Sequence, residues 1–386
     1  MRGYRLYVVV EEGSMKLLIV SDTFQYNTNG TQEVFEPTLR EIESIANKFD
    51  EVLWLGYLQP NTNPGHARAP LLSTIRLQTL PVIEGGKSWW NKLRILPGLP
   101  VLIWIIARHL RAYDVIHSRG PSVPAFICIC LSFLFRKKIY WHKYAGNWIE
   151  PSPPLMYGIQ KRLLIIAKHT LVTVNGSWND QPQHITSLEN PCFTEMEWNL
   201  AKEYGLQKNF TGKLVLCFSG LVAESKGILA LLEALATIPE LGNYVDRLII
   251  AGNGPAFVQA KNLTKTIPVS VEFRGYLTRM ALNEVYQQSH VLLLPSRSEG
   301  FPKVVAESAA FGCIPVVTDI SSLSQYIIDR QNGFLIENNN PQAIANVLKN
   351  LFTHTDLKKL SRLAIDLSAR FTYERFGLSI DHYLLK

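Results

Sequence analysis

Short apolar segments rich in β-branched residues alternate with longer segments of helical periodicity along most of the chain. The first half predicts helices at 36–49, 99–112, 122–135 and 155–168, between strands at 17–20, 52–55, 115–117, 139–142 and 171–174. The second half predicts strands at 214–219, 248–251, 271–274, 291–294, 314–318 and 334–336. Its predicted helices are 226–238, 255–266, 280–289, 302–311, 341–352 and 356–370. Strands that are apolar on both faces and separated by helices are typical of parallel sheets covered on both sides, so we expect an α/β protein.

The 386 residues are enough for two domains, and each half of the pattern predicts its own doubly wound, Rossmann-like unit. We place a first domain at 15–190, a second at 191–370, and a terminal helix at 371–386 that docks back on the first domain. Two such domains would face a central cleft at the carboxyl ends of their strands, where open α/β sheets bind ligands. Residues 1–14 are interpreted as a dispensable leader, because their apolar run is too short for a signal peptide.

Composition narrows the class of protein further. With 47% hydrophobic and 18% charged residues, the chain can bury sizeable cores and is not a disordered polymer. Five cysteines form no CxxC pair, which argues against a disulfide scaffold or a structural zinc site and suits a reducing cytoplasm. No apolar run approaches the roughly 18–20 residues of a membrane-spanning helix.

The net charge of +7 is concentrated in the first half. Between Arg76 and Lys143, 11 basic residues stand against two acidic ones, alongside Trp89-Trp90 and apolar runs that end in basic residues. This pattern fits helices lying on an anionic membrane surface. It fits equally well two buried helices with a solvated basic rim. A nucleic-acid partner is disfavoured, because no interleaved aromatic and basic motif is present.

The most informative segment is 291–312, VLLLPSRSEGFPKVVAESAAFG. A buried strand is followed by a glycine-containing loop, Pro302 stands where a helix would begin, and Gly312 ends it. Glu299 and Glu307 flank the helix N-terminus, whose free N–H groups and partial positive charge suit a phosphate. Other glutamate pairs eight residues apart lack this context. Carboxylates that accept hydrogen bonds from sugar hydroxyls, on either side of a phosphate site, predict a nucleotide-sugar ligand.

These residues resemble the donor site of retaining GT-B glycosyltransferases of family 4. Further segments that resemble this family lie at 218–220, 226–227, 252–255 and 271–275, and at Gly312-Cys-Ile-Pro-Val-Val-Thr-Asp and Asn332-Gly-Phe-Leu. The resemblance runs from about Met15 to the C-terminus and is specific only in the second half. It implies a GT-B fold and transfer of a hexose-type sugar from a nucleotide-diphosphate-sugar to an acceptor hydroxyl, with retention of configuration. No metal or other cofactor is expected, because the sequence has no DxD motif.

The resemblance also implies roles for individual residues. Glu299 would contact the donor sugar, Glu307 the ribose hydroxyls, and Lys226 the leaving diphosphate. The remaining donor-binding residues would lie along the diphosphate and base, and they are Gly220, Gly252, Arg274, Tyr276, Gly300, Phe301, Pro302 and Lys303.

One departure from the family concerns the residue after Gly220, which is usually arginine and here is Leu221. Losing a cation at a diphosphate would weaken leaving-group stabilisation. Our hypothesis is that Arg119, at the end of a first-half strand, replaces it across the cleft; the alternative is a solvated surface arginine. His142 and His117 also end predicted strands, and each could orient the donor sugar or acceptor or be structural.

The Asn29-Gly30 loop stands where the family has a glycine-rich acceptor loop, although only one glycine is present. We expect the first domain to bind the acceptor, a sugar or lipid-linked glycan, in cell-surface polysaccharide or glycolipid synthesis. The expected location is the cytoplasm, peripheral on the inner membrane face. The alternatives are a sugar-nucleotide epimerase or hydrolase on the same fold, and a non-catalytic nucleotide-sugar-binding partner protein. A dehydrogenase is disfavoured, because no GxGxxG follows the first strand.

Overall fold

The computed structural model describes residues 15–59, 63, 65–82, 96–179, 181–354 and 356–384. The leader at 1–14 and the Trp89-Trp90 pair lie outside the described residues. The chain divides into two compact units, Met1–Glu189 with Glu374–Lys386, and Asn190–Tyr373. The sequence pattern placed the boundary near Asn190-Pro191 and assigned the terminal helix to the first unit.

The first unit is built on a sheet that has nine strands among the described residues. The strands are β1 (Lys16–Thr28), β2 (Thr31–Phe35), β3 (Glu51–Leu58), β4 (Ala67–Arg68), β5 (Ile75–Leu80), β6 (Val115–Gly120), β7 (Ile139–Tyr144), β8 (Leu171–Val174) and β9 (Ile185–Ser187). Seven are parallel, in the order β5-β3-β1-β6-β7-β8-β9. β2 pairs antiparallel with the end of β1, and β4 with β2.

The described helices of this unit cover both faces of the sheet. They are α1 (Glu36–Ala46), α2 (Leu99–Ala112), α3 (Val123–Leu134) and α4 (Leu155–Ile166). On β1, Leu17 and Ile19 pack into one apolar cluster, whereas Leu18 and Val20 pack into the cluster on the opposite face. Since successive strand residues point to opposite faces, burial of both faces explains the continuous apolar runs of the sequence.

The second unit has a six-stranded, fully parallel sheet in the order β12-β11-β10-β13-β14-β15. The strands are β10 (Leu214–Ser219), β11 (Val245–Ala251), β12 (Ser270–Gly275), β13 (Val291–Leu294), β14 (Ile314–Thr318) and β15 (Phe334–Ile336). The order changes direction between β10 and β13. In open α/β sheets the crevice at such a switch point, outside the carboxyl ends of the strands, binds ligands.

The helices of the second unit are α5 (Glu195–Leu206), α6 (Ile228–Ala236), α7 (Leu241–Tyr244), α8 (Phe257–Leu263), α9 (Arg279–Gln288), α10 (Lys303–Ala310), α11 (Pro341–Phe352) and α12 (Leu357–Ser368). The terminal helix α13 (Tyr373–Leu384) contributes Phe376 and Ile380 to the core of the first unit. The expected α/β class with two Rossmann-like sheets is confirmed. None of the described helices has the length and apolar character needed to cross a bilayer.

The predicted acceptor loop at Asn29 and Gly30 is a different element from the one expected. β1 does not end at residue 20 but continues to Thr28, and Asn29 and Gly30 form a two-residue turn into β2. Both have positive φ, 53° and 84°. Asn-Gly favours such hairpin turns because both residues tolerate the left-handed conformation. The two residues therefore form a hairpin turn rather than an open loop after residue 20, and their contact with an acceptor stays a prediction.

Candidate functional site

The loop after β13 and the start of α10 form the centre of the site. The buried strand ends at Leu294, Pro302 occupies the N-cap, and α10 begins at Lys303, one residue later than predicted. Gly312, with φ of +74°, follows the helix end as the sequence indicated. The first N–H groups of a helix have no partner within the helix, so this end can receive an anion.

Glu299 lies in that loop and joins it to the loop that follows β10. The Lys226 ammonium lies 2.5 Å from Glu299 Oε1, and the buried Ser296 hydroxyl donates to the same oxygen at 2.8 Å. Lys226 ends a short 3-10 turn, Glu224–Lys226. The structure thus brings two sequence-predicted residues together at the switch point, and the ion pair fixes the position of both charges.

The backbone of the loop before α10 is held by side chains from elsewhere in the second unit. The Gly300 carbonyl accepts from the Ser322 hydroxyl at 3.1 Å, and the Phe301 carbonyl accepts from the Asn190 amide at 3.1 Å. The Phe301 ring is buried and stacks on Phe371 with centroids 4.5 Å apart. Phe301 therefore anchors the loop through its side chain, and only its backbone is available to a ligand.

Glu307 is the fifth residue of α10 and has a cationic neighbour that the sequence interpretation missed. Arg279 Nη1 lies 3.7 Å from Glu307 Oε1, and Arg279 Nη2 donates to the Cys192 carbonyl at 3.0 Å. Glu307 and burial together raise the pKa of Tyr286 well above its ordinary value, with burial the larger cause. The sequence offered one indication of Arg279, the N-cap residue Thr278, whose hydroxyl caps α9. This cap places Arg279 in the first turn of the helix that follows β12.

Two glycines shape the backbone beside this group. Gly220 follows β10 with φ of +148°, and a Cβ built there meets no heavy atom within 4 Å. Gly252 follows β11 with φ of +146°, and a Cβ there would lie 1.8 Å from the Gly220 carbonyl oxygen. Gly220 therefore borders open space, whereas the absence of a side chain at Gly252 lets its backbone pack against the Gly220 carbonyl.

Arg274 and Tyr276 lie at the carboxyl end of β12, on the same edge of the sheet. The Arg274 guanidinium donates to Glu272, with Nε 3.0 Å from the carboxylate, and Tyr276 is 43% exposed. Leu221, directly after Gly220, is 43% exposed. The edge thus presents an exposed ring and an exposed aliphatic side chain, surfaces suited to contact with a planar base.

Arg119 in the first unit is neither solvated nor unpaired. Its Nη1 lies 2.8 Å from Glu41 Oε1, and the Lys143 ammonium lies 2.6 Å from the same oxygen. The Glu41 side chain is fully buried, and that of Arg119 is 12% exposed. The alternative of a solvated surface arginine is therefore wrong, because a buried carboxylate on α1 holds this guanidinium.

His117 and His142 lie inside the sheet of the first unit. β6 and β7 extend to Gly120 and Tyr144, three and two residues beyond the predicted ends, so neither histidine stands at a strand end. His142 Nδ1 lies 2.7 Å from the Ser118 hydroxyl, and burial lowers the pKa of His142 to about 3. His117 stacks on Trp141 at 3.7 Å, and burial lowers its pKa well below the ordinary value. Both fit the structural alternative.

In the part of the chain that the structure describes, no three His, Cys, Asp or Glu side chains are grouped to hold a metal ion.

Comparison with known proteins gives the family context of the second unit. Residues 202–364 match the family described as glycosyl transferases group 1. An uncharacterized glycosyltransferase of Haemophilus influenzae is 27% identical, over 67% of this chain and 70% of that protein. The O-antigen biosynthesis glycosyltransferase WclY of Escherichia coli is 25% identical, over 63% of this chain and 71% of that protein. Matches to two uncharacterized glycosyltransferases of Methanocaldococcus jannaschii span only 45% and 38% of those proteins.

Solved structures extend the likeness to both units. HepE of Anabaena, in complex with UDP and glucose, matches with a TM-score of 0.67 and 17% identity, covering 96% of this chain and 99% of that chain. At this identity the match shows the fold alone. The two Rossmann-like sheets are those of the GT-B fold.

Proposed function

Because the chain carries a glycosyl transferases group 1 domain within a GT-B fold, we propose that it is a retaining glycosyltransferase of family 4. It transfers a hexose-type sugar from a nucleotide-diphosphate-sugar to an acceptor hydroxyl. The observation that carries the proposal is the Lys226–Glu299 pair beside the N-terminus of α10, next to the open space at Gly220. That HepE was solved with UDP and glucose supports a nucleotide-sugar donor.

The proposed binding mode follows from the charges at this edge of the second unit. The diphosphate lies against the N–H groups that open α10 and is neutralised by the helix dipole and Lys226. Glu299 accepts hydrogen bonds from the sugar hydroxyls and Glu307 from the ribose, since carboxylates are strong acceptors. Arg274 and Tyr276 flank the base.

The proposed reaction exchanges one glycosidic bond for another on the same face of the sugar. The bond from the anomeric carbon to the phosphate oxygen breaks, and the acceptor oxygen bonds to that carbon. The departing phosphate oxygen takes the acceptor's proton, so no protein base is required. Lys226 and the helix N-terminus stabilise the charge that develops on the diphosphate. We propose that no metal takes part, and transfer should persist in excess EDTA.

A thermal-shift panel of nucleoside diphosphates and nucleotide-sugars tests the proposed donor site. A ligand that binds only the folded state raises the melting temperature, so the native protein should respond to one nucleotide series. Glu307→Gln should abolish most of that shift, because the amide loses the carboxylate's charge at the ribose. Glu233→Gln, an exposed change on α6, is the matched control. An unchanged shift in Glu307→Gln would contradict the ribose assignment.

Incubation with the donor alone separates the proposal from its rivals. An altered sugar or rapid release of free sugar would instead indicate an epimerase or a hydrolase. Donor binding without transfer to any acceptor pool would indicate a non-catalytic partner protein, the alternative that Leu221 suggests.

For the acceptor we propose a lipid-linked glycan at an anionic membrane surface, bound by the first unit. α2 exposes Val101, Ile103 and Trp104, the last at 59%, and the Arg108 guanidinium lies 5.5 Å from the Trp104 ring centre. Apolar side chains edged by cations suit the interface of anionic lipids. The name of WclY, a glycosyltransferase of O-antigen biosynthesis, agrees with a glycan acceptor.

Flotation with phosphatidylglycerol–phosphatidylcholine vesicles tests the membrane proposal. The native protein should float with the vesicles at low salt and dissociate at high salt, because ionic screening weakens the attraction. Trp104→Asn should reduce flotation, whereas Leu378→Asn, an exposed position on α13, should not. Absence of flotation at low salt would reject this proposal and leave the donor site unaffected.

A further inference from the structure

Arg279 connects three elements of the second unit at its first helical residue. Its Nη1 faces Glu307 on α10 at 3.7 Å, its Nε faces Glu197 on α5 at 3.5 Å, and its Nη2 donates to the Cys192 carbonyl at 3.0 Å. The contact with Cys192 is a hydrogen bond and the two carboxylate contacts are longer ion pairs, so the planar guanidinium is held from three sides.

The groups that hold Arg279 are themselves held. Glu197 Oε2 accepts from the Thr194 N–H at 2.8 Å, in the capping box that begins α5, which turns Oε1 towards Arg279. The Cys192 N–H donates to the Phe371 carbonyl at 2.8 Å. The guanidinium therefore has a fixed support that does not involve Glu307.

The contact with Glu307 is the one that involves a residue of the proposed donor site. A distance of 3.7 Å is longer than a hydrogen bond, so the attraction orients the carboxylate without using its acceptor sites. Those acceptor sites are then available to hydroxyl groups of a ligand. A ribose presents two vicinal hydroxyls and a 2′-deoxyribose presents one, so a fixed carboxylate discriminates between them.

We infer that Arg279 is a positioning residue that fixes Glu307 for the ribose and thereby sets the preference of the donor site for ribonucleotides over 2′-deoxyribonucleotides. The inference rests on the proposed donor site. It assigns the selectivity to a side chain that does not itself touch the nucleotide.

Isothermal titration with UDP, GDP and ADP, and with their 2′-deoxy forms, tests this inference. The native protein should bind one ribonucleotide and bind its deoxy form more weakly. Arg279→Gln should weaken ribonucleotide binding about tenfold, equivalent to about 1.4 kcal/mol, and bring the two affinities close together. Arg279→Lys keeps the charge but not the fork, so it should retain part of the preference. Arg362→Gln, which removes an exposed guanidinium on α12, should change neither affinity.

Steady-state kinetics give a second readout that a merely structural role would not produce. Arg279→Gln should raise the KM for the donor and leave kcat nearly unchanged, because Glu307 does not contact the reacting atoms. If Arg279→Gln fails to fold, Arg279→Lys supplies the same readouts.

The outcomes separate the inference from the proposed function. Native protein that binds none of the three nucleotides would overturn both. Native protein that binds a nucleotide without ribose preference, or Arg279 variants that keep the full preference, would overturn the inference and leave the proposed function standing.

Discussion

At the scale of single residues, Gly220 and Gly252 have similar φ angles and different neighbours. At either position a side chain is strained, at a cost on the order of 1–3 kcal/mol. Gly252→Ala adds a clash with the Gly220 carbonyl and should lower the melting temperature far more than Gly220→Ala. Gly220→Ala should fold and lose nucleotide binding, because its methyl enters the open space. Thermal melts with and without nucleotide check this, and full binding by folded Gly220→Ala would contradict it.

Lys226 is the cation that the structure fixes beside Glu299. Lys226→Met should reduce kcat about 10²–10³-fold, which is the usual loss when an enzyme lacks one group that stabilises the charge developing in the transition state. Lys213→Met changes an exposed lysine before β10 and is the matched control. Transfer assays measure both variants. Equal turnover in Lys226→Met and native protein would show that another cation carries the leaving group.

The lowered pKa of buried His142 predicts how the stability of the protein depends on pH. Its pKa is about 3 in the folded protein and 6.5 ordinarily, so the unfolded chain binds the proton more readily. The contribution of neutral His142 to the free energy of unfolding is therefore fully present above about pH 6.5 and is lost as the pH decreases towards 3. Urea titrations between pH 7 and pH 4 should show a shallower decline for His142→Asn than for native protein, with exposed His382→Gln as control. Identical declines in all three proteins would contradict this assignment.

Single residues also show which parts of the candidate site could be predicted from the sequence. The positions of Glu299 and Glu307 beside the start of α10 were predictable, because strand, glycine, proline and helix follow one another locally. Lys226 was named only through the family resemblance. Arg279 and Glu41 were not, because their partners are distant along the chain. Glu41 meets Arg119 across 78 residues, and no periodicity encodes such a pairing.

At the scale of elements, the pattern located strands better than it located their ends. β6 and β7 continue through polar residues such as Arg119 and Lys143, whose charges a buried carboxylate offsets, so hydrophobicity alone ends these strands too early. α5 was missed because only Ala201 and Gly205 of its residues are buried, which leaves almost no apolar periodicity. The β1–β2 turn was missed, although the Asn29-Gly30 dipeptide is itself typical of a hairpin turn.

The capping box of α5 gives a prediction at this scale. Thr194 accepts from the Glu197 N–H at 3.1 Å, and Glu197 in turn supports Arg279. Thr194→Ala should lower the free energy of unfolding by about 1 kcal/mol, the usual cost of a lost N-cap. Chemical denaturation measures the loss. A stability equal to that of native protein would show that the cap is dispensable.

At the scale of the whole molecule, two parallel sheets were predictable because their central strands are apolar on both faces. The antiparallel pairings of β2 and β4 were not, because their residues are few and mostly polar or half-exposed. We propose different partners for the two units, from the basic, aromatic character of the first and the carboxylate and lysine group of the second. All the residues of the proposed donor site belong to the second unit.

A crystal structure with the nucleotide-sugar that the thermal-shift panel selects tests the proposed donor site directly. We expect diphosphate density within hydrogen-bond distance of the backbone N–H groups that open α10, with the ribose on Glu307 and the sugar on Glu299. Density for the ligand elsewhere, with this loop unoccupied, would contradict it.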